Sequence, residues 1–296
     1  FNFFFSRKKT NFTVSAIPGI AGLKPTIKII GSTKKLLIAN KESIICGWDL
    51  IKKKSIQYKT ELIPVDSEHF SILSLIKNHK YNEIKKIYIT ASGGPFLNLN
   101  YSKFKNIKPK DALKHPKWKM GKKVSIDSAT LMNKILELVE AQKLFNFESE
   151  KLDILIHPES LVHAIVQLNN GITKFIYHET SMIVPLANAI FNGNFDIGKF
   201  LKKKEINKHS IENLTFEKVD KKIFPIIQLK KRINEYPSTS IIVNASNEIL
   251  VDQFLQKKIP FLSINKIIMT ILGDRNYKKY AIRRPKNINE IYEIDT

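Results

Sequence analysis

Short apolar runs alternate with stretches of helical spacing in the first third of the chain. Runs typical of buried strands occupy residues 12–17, 34–40, 60–65 and 85–91. Stretches with helical spacing occupy residues 41–54 and 69–79. Strands separated by helices predict an α/β fold with a largely parallel sheet. In such sheets, ligands bind beyond the carboxyl ends of the strands. Polar clusters stand at three of those ends: Asn40-Lys41, Asp66-Ser67-Glu68 and Ser92-Gly93-Gly94.

The pattern after residue 115 is mostly helical. Residues 115–127 are polar and lysine-rich and are interpreted as a mobile loop, whereas residues 128–145 predict one long helix capped by Ser128 or Asp127. A strand, a turn and a further strand or helix are expected over 154–166. A weakly periodic linker and then a small helical unit are expected to complete the chain.

The composition allows a sizeable core and gives no candidate for a membrane span. The chain has 296 residues, 43% of them hydrophobic, and no segment approaches the roughly 18 uninterrupted apolar residues of a membrane helix. Its apolar-then-basic start reverses the order of a secretory signal, and a single cysteine, Cys46, suits a reducing compartment. The net charge of +22 is spread along the chain, so neither nucleic acid nor membrane is expected as a partner.

Asp66 and Glu68 are the first candidates for chemistry. Side chains alternate in an extended chain, so these two carboxylates are expected to point the same way and to repel each other unless a cation lies between them. Oxygen ligands of this kind suit Mg²⁺ or Mn²⁺. The alternative is a solvated acidic turn, and these residues alone do not decide between the two.

The predicted long helix offers further polar groups. Asn133 and Glu137 are four residues apart and Lys134 and Glu137 are three apart, so they share one face. They could supply a third metal carboxylate beside a phosphate-binding lysine and amide, or only a surface salt bridge. Ser128, at the predicted helix start, offers a hydroxyl and free N–H groups to an anion. Ser92 precedes two glycines that allow a ligand to approach closely.

Three other residues admit two interpretations. Lys41 follows a strand and His115 lies in the lysine-rich segment, so each either contacts a ligand or is solvated. Trp118 is apolar in polar surroundings and either packs in the core or contacts a ligand over which the segment closes. His157 and His163 are interpreted as packing histidines.

Five motifs occur in fixed order: ANKES (39–43), PVDSEH (64–69), ASGGPF (91–96), HPKWKMGKKVSIDSATLMNK (115–134) and NASNEI (244–249). Together they closely resemble the 1-deoxy-D-xylulose 5-phosphate reductoisomerases of the non-mevalonate isoprenoid pathway, and the resemblance covers nearly the whole chain. It implies a chelated divalent metal that assists rearrangement of this phosphosugar to an aldehyde. Hydride transfer from NADPH to that aldehyde then gives 2-C-methyl-D-erythritol 4-phosphate.

The resemblance also implies roles for individual residues. Asp66, Glu68 and Glu137 are implied to bind Mg²⁺ or Mn²⁺ and, with Lys41, to take part in catalysis. Residues implied to bind the substrate are Lys41, Ser67, Glu68, Ser92, His115, Trp118, Ser128, Asn133, Lys134 and Glu137. Residues implied to contact NADPH are Asn40, Glu42 and Gly121. A homodimer is implied as well, in the bacterial cytoplasm or a plastid-type organelle.

The fold implied is α/β, in three domains and a linker. These are the remainder of a Rossmann-like NADPH domain (1–64), an α/β catalytic domain (65–194), a linker (195–224) and a helical domain (225–296). The family's glycine-rich dinucleotide loop is not found, since IIGSTKKLL (29–37) shares only G-S-T with it. The first βαβ unit is therefore expected to be missing, through truncation or loss of the reductase step. Pro18 and Phe70 are smaller departures from the family pattern.

Two other functions stay open at this point. A basic nucleic-acid-binding protein would bind with a steep salt dependence and would tolerate Asp66→Asn. A degenerate paralogue, acting only as a subunit of an oligomer, would not oxidise NADPH in the presence of the phosphosugar and Mn²⁺, even as a full-length gene product.

Overall fold

A computed structural model describes residues 9–118, 120–199 and 213–296. Its first sheet consists of three parallel strands in chain order, namely β1 (Thr10–Ser15), β2 (Thr33–Ile38) and β3 (Glu61–Pro64). Helices α1 (Leu23–Ile29) and α2 (Lys41–Tyr58) connect them. The prediction of parallel strands separated by helices is confirmed here, with strand ends shifted by one or two residues.

The fourth predicted strand belongs to a second sheet. The strands β4 (Ile84–Ala91), β5 (Leu152–Ile156), β6 (Val162–Leu168), β7 (Thr173–Tyr177) and β8 (Glu217–Lys218) lie in the order β7-β6-β4-β5-β8. Only β4 and β5 are parallel, and the other pairs are antiparallel. The expectation of one largely parallel sheet is therefore wrong for the sheet that contains β4. The turn between β5 and β6 is too short for the crossover that parallel strands require, so β6 runs antiparallel to its neighbour β4.

The long helix predicted over 128–145 is two helices. α5 (Lys122–Thr130) and α6 (Met132–Phe145) are separated by Leu131, whose φ is 67° and whose side chain is buried. The Leu131 N–H bonds the Ser128 carbonyl at 3.1 Å, which ends α5. Burial of the Leu131 side chain accompanies the left-handed conformation, and no glycine or proline marks the break in the sequence. Capping by Ser128 or Asp127 is wrong, and so is the loop assignment for residues 122–127.

The remaining described helices are α3 (Ser67–Ile76), α4 (Pro109–Ala112), α7 (Ile183–Phe191), α8 (Thr239–Leu255), α9 (Phe261–Ile271), α10 (Tyr277–Ala281) and α11 (Ile288–Asp295). The helical unit predicted from Pro225 begins with a 3-10 segment, Pro225–Lys231. Within the predicted linker, residues 200–212 lie outside the described residues, and Glu217–Lys218 forms β8. None of the helices described is both long enough and apolar enough to cross a membrane.

Helix α6 is the central element of the fold. Nine of its fourteen residues are buried, and it packs against α2, β4 and the 3-10 segment at Pro225–Lys231. Its apolar residues Ile135, Leu136 and Val139 belong to one hydrophobic core that extends from Leu23 to Ile294. A polar residue on α6 is therefore held rigidly, between the carboxyl edge of the first sheet and the end of β4.

Candidate active site

Two helix starts place charged groups at the edge of the first sheet. Asn40 follows β2 and caps α2, because its Oδ1 accepts the Ser43 N–H at 2.7 Å. Asp66 follows β3 and caps α3 in the same way, accepting the Glu68 N–H at 3.1 Å. Lys41 and Glu68 consequently stand in the first turns of neighbouring helices. Alternation along an extended strand is thus the wrong reason for the proximity of Asp66 and Glu68, which the turn into α3 produces.

Three carboxylates meet at this edge. One oxygen from each of Asp66, Glu68 and Glu137 lies within 4.8 Å of the other two, and Glu137 comes from α6 on the opposite side. Glu137 is 1% exposed and Glu68 is 8% exposed. The alternatives of a solvated turn and a surface salt bridge are therefore wrong, and the convergence expected from the sequence is confirmed.

Two ammonium groups lie among the carboxylates. Lys41 Nζ is 3.2 Å from Glu137 Oε1 and 3.6 Å from Asp66 Oδ2. Lys134 Nζ is 2.6 Å from Glu137 Oε2 and also bonds Glu68 Oε1. Three carboxylates and two ammonium groups leave one net negative charge, so the donor set and charge suit a divalent cation.

Asn133 completes this cluster and confirms the shared helix face. Its Oδ1 accepts a hydrogen bond from Lys41 Nζ at 2.7 Å, and its Nδ2 donates to Glu137 Oε1. One residue of α6 therefore orients both an amine from α2 and a carboxylate one turn further along its own helix.

The protonation of the three acids follows from burial and the lysines. Burial opposes ionisation of Asp66, but the ammonium of Lys41, together with the hydrogen bond and charge of His69, lowers the Asp66 pKa. Burial likewise opposes ionisation of Glu68, and Lys134 holds the Glu68 pKa well below its ordinary value. For Glu137, burial and then the Glu68 carboxylate raise the pKa. Glu137 is therefore the acid that gains most from a further cation.

A buried histidine, His69, lies next to these acids. His69 Nδ1 is 3.3 Å from Asp66 Oδ1 and 3.6 Å from Glu140 Oε2, while its Nε2 lies 2.9 Å from the Glu137 carbonyl. Burial disfavours the imidazolium, but Glu140 and then Asp66 raise the His69 pKa to about 10. The sequence interpretation assigned His69 no role, although its place three residues after Asp66, on the same helix face, was the available signal.

Hydroxyl and imidazole groups line the far end of a cavity whose near end contains the three carboxylates. The backbone N–H groups of Lys117 and Trp118 both donate to His115 Nδ1, at 3.2 and 2.9 Å, so the ring hydrogen lies on Nε2. Nε2 then donates to Ser92 Oγ at 3.0 Å, and the Gly94 N–H donates there at 3.1 Å. The Ser92 hydroxyl can therefore donate its own hydrogen to an anion. Burial and the nearby Lys134 lower the His115 pKa to about 4.

Gly94 brings this loop against α5. Its φ is 64°, and a Cβ there would lie 3.0 Å from the Ser128 carbonyl oxygen and 3.1 Å from Ala129 Cα. Ser128 lies in the last turn of α5, so the expected anion seat of free N–H groups at a helix start is wrong. Its hydroxyl nevertheless faces the same cavity as Ser92.

One cavity of about 320 Å³ joins both ends. All the sequence-predicted substrate and metal residues line it: Lys41, Asp66, Ser67, Glu68, Ser92, His115, Trp118, Ser128, Asn133, Lys134 and Glu137. Ser160 and His163 line it as well, and sequence reasoning missed them. His163 lies in β6, where the local pattern is that of a buried strand, so its position across from Glu68 is visible only in the fold.

The residues expected to contact NADPH lie beside this cavity. Gly121 lines it, whereas Asn40 and Glu42 form a buried pair at 3.1 Å next to it. Lys123 bridges Glu42 at 3.1 Å and Asp127 at 3.0 Å, so α5 is tied to the start of α2. The lysine was not singled out from the sequence, since a lysine in a Lys-rich segment has no distinguishing mark.

The fold and the cavity define a class: an α/β enzyme with a carboxylate–lysine centre at the carboxyl edge of a parallel sheet. Three family models match the chain. They are described as 1-deoxy-D-xylulose 5-phosphate reductoisomerase (residues 3–47), the C-terminal domain of the same enzyme (62–145) and DXP reductoisomerase C-terminal domain (179–296).

Relatives and solved structures agree with these models. The 1-deoxy-D-xylulose 5-phosphate reductoisomerase of Pelagibacter ubique is 48% identical over 99% of this chain and 75% of the relative. That of Wolbachia pipientis from Culex pipiens is 40% identical over 96% of this chain and 71% of the relative. The Zymomonas mobilis enzyme, solved with NADPH, has a TM-score of 0.84 at 34% identity, covering 96% of this chain and 72% of that one.

A second solved structure bears directly on the cavity. It is a DOX-P reductoisomerase in complex with NADPH, fosmidomycin and magnesium, with a TM-score of 0.88 at 31% identity, covering 98% of this chain and 74% of that one. The chain belongs to the 1-deoxy-D-xylulose 5-phosphate reductoisomerase family.

Proposed function

We propose that this chain converts 1-deoxy-D-xylulose 5-phosphate to 2-C-methyl-D-erythritol 4-phosphate, using NADPH and a divalent metal, Mg²⁺ or Mn²⁺. The relatives named above are enzymes of this activity, and the related structures contain NADPH and magnesium. The observation that carries the proposal is the single cavity in which three buried carboxylates and two ammonium groups face a hydroxyl–imidazole cradle.

Asp66, Glu68 and Glu137 are the proposed metal ligands. They offer hard oxygen donors at mutual distances that suit one ion, and their residual charge is negative. A divalent metal bound there polarises the substrate carbonyl and an adjacent hydroxyl. Asp66 and Glu68 need not release a proton to bind the metal at neutral pH. Lys41 and Lys134 already keep the pKa values of these two carboxyl groups low, so both groups are ionised.

Lys41 is the proposed cation at the reacting end. Asn133 and Glu137 hold its ammonium from α6, so it stands at a fixed position beside the proposed metal ligands. A preorganised positive charge at such a point stabilises negative charge that develops on a substrate oxygen. Ser67, whose hydroxyl donates to Glu68 at 2.6 Å, fixes the orientation of that carboxylate and is a proposed substrate contact.

The phosphate is proposed to bind at the other end of the cavity, and it anchors the substrate for reaction. Ser92 and Ser128 supply hydroxyls, and the His115 Nε2–H supports Ser92. Asn133 and Lys134 are proposed to contribute from α6, and the half-buried Trp118 closes this end. Binding energy from the phosphate thereby orients the distant reacting carbons.

NADPH is proposed to lie against Asn40, Glu42 and Gly121, and it supplies the hydride. Gly121 lines the substrate cavity and has no side chain to obstruct a nicotinamide, since nothing lies within 4 Å of its Cβ position. The amide of Asn40 also bonds the carbonyl oxygens of Ile17 and Gly19, at 2.6 and 3.1 Å, and so fixes the loop beside it.

The domain division and a homodimer are further proposals. The first sheet ends at Pro64, which supports a division at residues 1–64 and 65–194, with the linker at 195–224 and the helical domain at 225–296. For the dimer, the solvent face of the second sheet carries an apolar groove of about 540 Å³, which we assign to a second copy of this chain.

The activity is tested by following NADPH oxidation with the phosphosugar and Mg²⁺. We expect Asp66→Asn and Glu137→Gln each to lower kcat/KM by about 100-fold or more, since loss of a ligand removes several kcal/mol of charge stabilisation. Glu61→Gln is the matched control, because Glu61 is an exposed acid that pairs with Lys35. The control should keep its activity.

Two results would contradict the proposal. One is full activity in Asp66→Asn and Glu137→Gln, which would show that the reaction does not depend on a metal bound by these carboxylates. The other is the absence of any oxidation by the unsubstituted chain while it still binds substrate, Mg²⁺ and NADPH, which would favour an inactive paralogue.

A further inference from the structure

Helix α8, in the proposed helical domain, brings a buried amide against α5. Asn247 is fully buried, and its Nδ2 donates to Asp127 Oδ1 at 2.7 Å, across 120 residues of chain. The nitrogen faces Asp127 because the amide oxygen, an acceptor, would repel a carboxylate. Burying an amide lowers stability unless it is hydrogen-bonded, and this is the one side-chain hydrogen bond of Asn247 within the described part of the chain. The amide of Asn247 therefore serves the Asp127 carboxylate.

Asp127 links this contact to Lys123. The two residues are four apart on one face of α5, and Asp127 Oδ2 lies 3.0 Å from Lys123 Nζ. Because Asn247 bonds one oxygen of the buried carboxylate and Lys123 the other, the orientation of the carboxylate is fixed. Burial opposes the charge on Lys123, but Asp127 and then Glu42 raise its pKa, so Lys123 stays an ammonium at neutral pH.

Lys123 in turn holds Glu42, at the proposed NADPH site. Lys123 Nζ is 3.1 Å from Glu42 Oε1, while Glu42 Oε2 accepts a hydrogen bond from Asn40 Nδ2 at 3.1 Å. A side chain that is held in its binding orientation before the ligand arrives binds more tightly, since less freedom is lost on binding. The orientation of Glu42 depends on Lys123, and that of Lys123 depends on a carboxylate that α8 fixes.

Helix α8 contacts the same site at a second place. Glu248 follows Asn247, and a Cβ at Gly19 would lie 3.6 Å from Glu248 Oε1. Asn244 Nδ2 donates to that oxygen at 3.3 Å. Gly19 belongs to the loop whose carbonyl oxygens bond the Asn40 amide. One turn of α8 thus borders both segments that carry proposed NADPH contacts, the loop at Gly19 and the start of α2.

We propose that the helical domain takes part in cofactor binding, with Asn247 as a positioning residue for the NADPH contact Glu42. The effect passes through Asp127 and Lys123. This inference rests on the proposed function, and it gives the helical domain a role at the cofactor site in addition to its packing against α2 and α6.

The test measures NADPH binding by calorimetric titration without substrate, so that no reduction occurs. We expect Asn247→Ala to weaken NADPH binding by about 10-fold, the order expected when a carboxylate loses a hydrogen-bond partner. Binding of 1-deoxy-D-xylulose 5-phosphate with Mg²⁺, measured without NADPH, should be unchanged. Asn247→Leu keeps most of the side-chain volume but has no donor and should give the same result, so a packing defect of the alanine variant does not decide the matter.

Two control variants separate positioning from general loosening of the helical domain. Val251 is 2% exposed and lies one turn further along α8, so Val251→Ala loosens the same helix without removing the bond. It should lower the urea midpoint and leave the Kd of NADPH unchanged. Asn234→Ala removes another amide hydrogen bond of 2.7 Å, from Asn234 to Gln142 on α6, and should leave both ligands bound as before.

A double variant tests the route through Lys123. We expect Lys123→Met to weaken NADPH binding, because Glu42 then loses the ammonium that orients it. If Asn247 acts through Lys123, adding Asn247→Leu to Lys123→Met should weaken binding no further. Fully additive losses would show that Asn247 acts independently of Lys123 and would overturn the assignment.

The remaining outcomes distinguish this inference from the proposed function. Unchanged NADPH binding in Asn247→Leu, or equal weakening of NADPH and phosphosugar binding by it, would overturn the positioning role and leave the function intact. The same loss of NADPH binding in Val251→Ala would likewise overturn it. Failure of the unsubstituted chain to bind NADPH at all would overturn the proposed function, and this assignment with it.

Discussion

At the scale of single residues, burial decides which charged groups act. Glu137 and Lys134 are three residues apart on a helix, a spacing that on a surface gives a weak ion pair. Here both are buried against Glu68, and the same residues become part of a charged centre. Burial also lowers the pKa of His115, in the cavity, and that of His178, which stacks on His163 beside it, and such groups make the protein's stability depend on pH.

His178 gives the sharpest case. It stacks on His163 with ring centroids 4.0 Å apart, and burial followed by the neighbouring His163 lowers its pKa to about 4. In the unfolded chain its pKa is about 6.5. Between these values the unfolded state binds a proton that the folded state does not, so the free energy of unfolding falls as pH falls from 6.5 towards 4.

We expect this histidine to account for up to about 3 kcal/mol of the stability lost over that range. His178→Gln removes the titrating group, so urea unfolding of that variant at pH 7 and pH 4.5 should show a smaller difference than the unsubstituted chain shows. Equal pH dependence in the two proteins would mean that the His178 pKa is not lowered by folding.

At the scale of elements, the site depends on how the loop after β4 meets α5. The two glycines of SGG were weak evidence in the sequence, where they indicated only close approach to a ligand. In the structure Gly94 approaches another backbone, at Ser128 and Ala129, and thereby sets the distance between two hydroxyls of the proposed phosphate cradle. The glycine is required by packing between elements.

Gly94→Ala and Gly171→Ala form a matched pair. Both glycines have positive φ, 64° and 88°, so each alanine should cost about 1–2 kcal/mol of stability from backbone strain. Only at Gly94 does the new Cβ meet backbone atoms. We therefore expect Gly94→Ala alone to push α5 away and to weaken binding of inorganic phosphate, measured by calorimetry. Equal phosphate binding in the two variants would contradict the role of this contact.

At the scale of the whole molecule, the second sheet has one face on the core and one face towards solvent. On the other side Tyr88, Ile165 and Phe175 lie opposite one another on three adjacent strands, where Ile165 is buried, Tyr88 is half-buried and Phe175 is 47% exposed. An apolar row of this kind on an antiparallel sheet is unusual for a surface that faces water. This face supports the proposed homodimer.

We expect the chain to sediment as a dimer and Phe175→Glu to sediment as a monomer, because a carboxylate in the groove would be desolvated without a partner when a second copy covers it. Ile282→Glu replaces another exposed apolar residue, outside the groove, and should leave the dimer unchanged. A monomeric unsubstituted chain, or dissociation by both variants, would argue against this interface.

The sequence by itself determined the parallel strands at residues 10–64, the polar residues at their ends and the membership of Glu137, Asn133 and Lys134 in one helix face. These features are local, since hydrophobic periodicity and helix spacing fix them. Even so, Asp66 and Glu68 converge through the turn into α3, for a reason that their strand-like pattern did not contain.

Only the tertiary structure decided what lies opposite these residues. The left-handed Leu131 that divides α5 from α6, the antiparallel partners of β4 and the positions of Ser160 and His163 all depend on contacts between segments far apart in the chain. Local sequence carries no record of such contacts, because they are set by packing and by closure of the β5–β6 turn. The proposed chemistry needs both levels: residues chosen by sequence, and a cavity that the fold alone assembles.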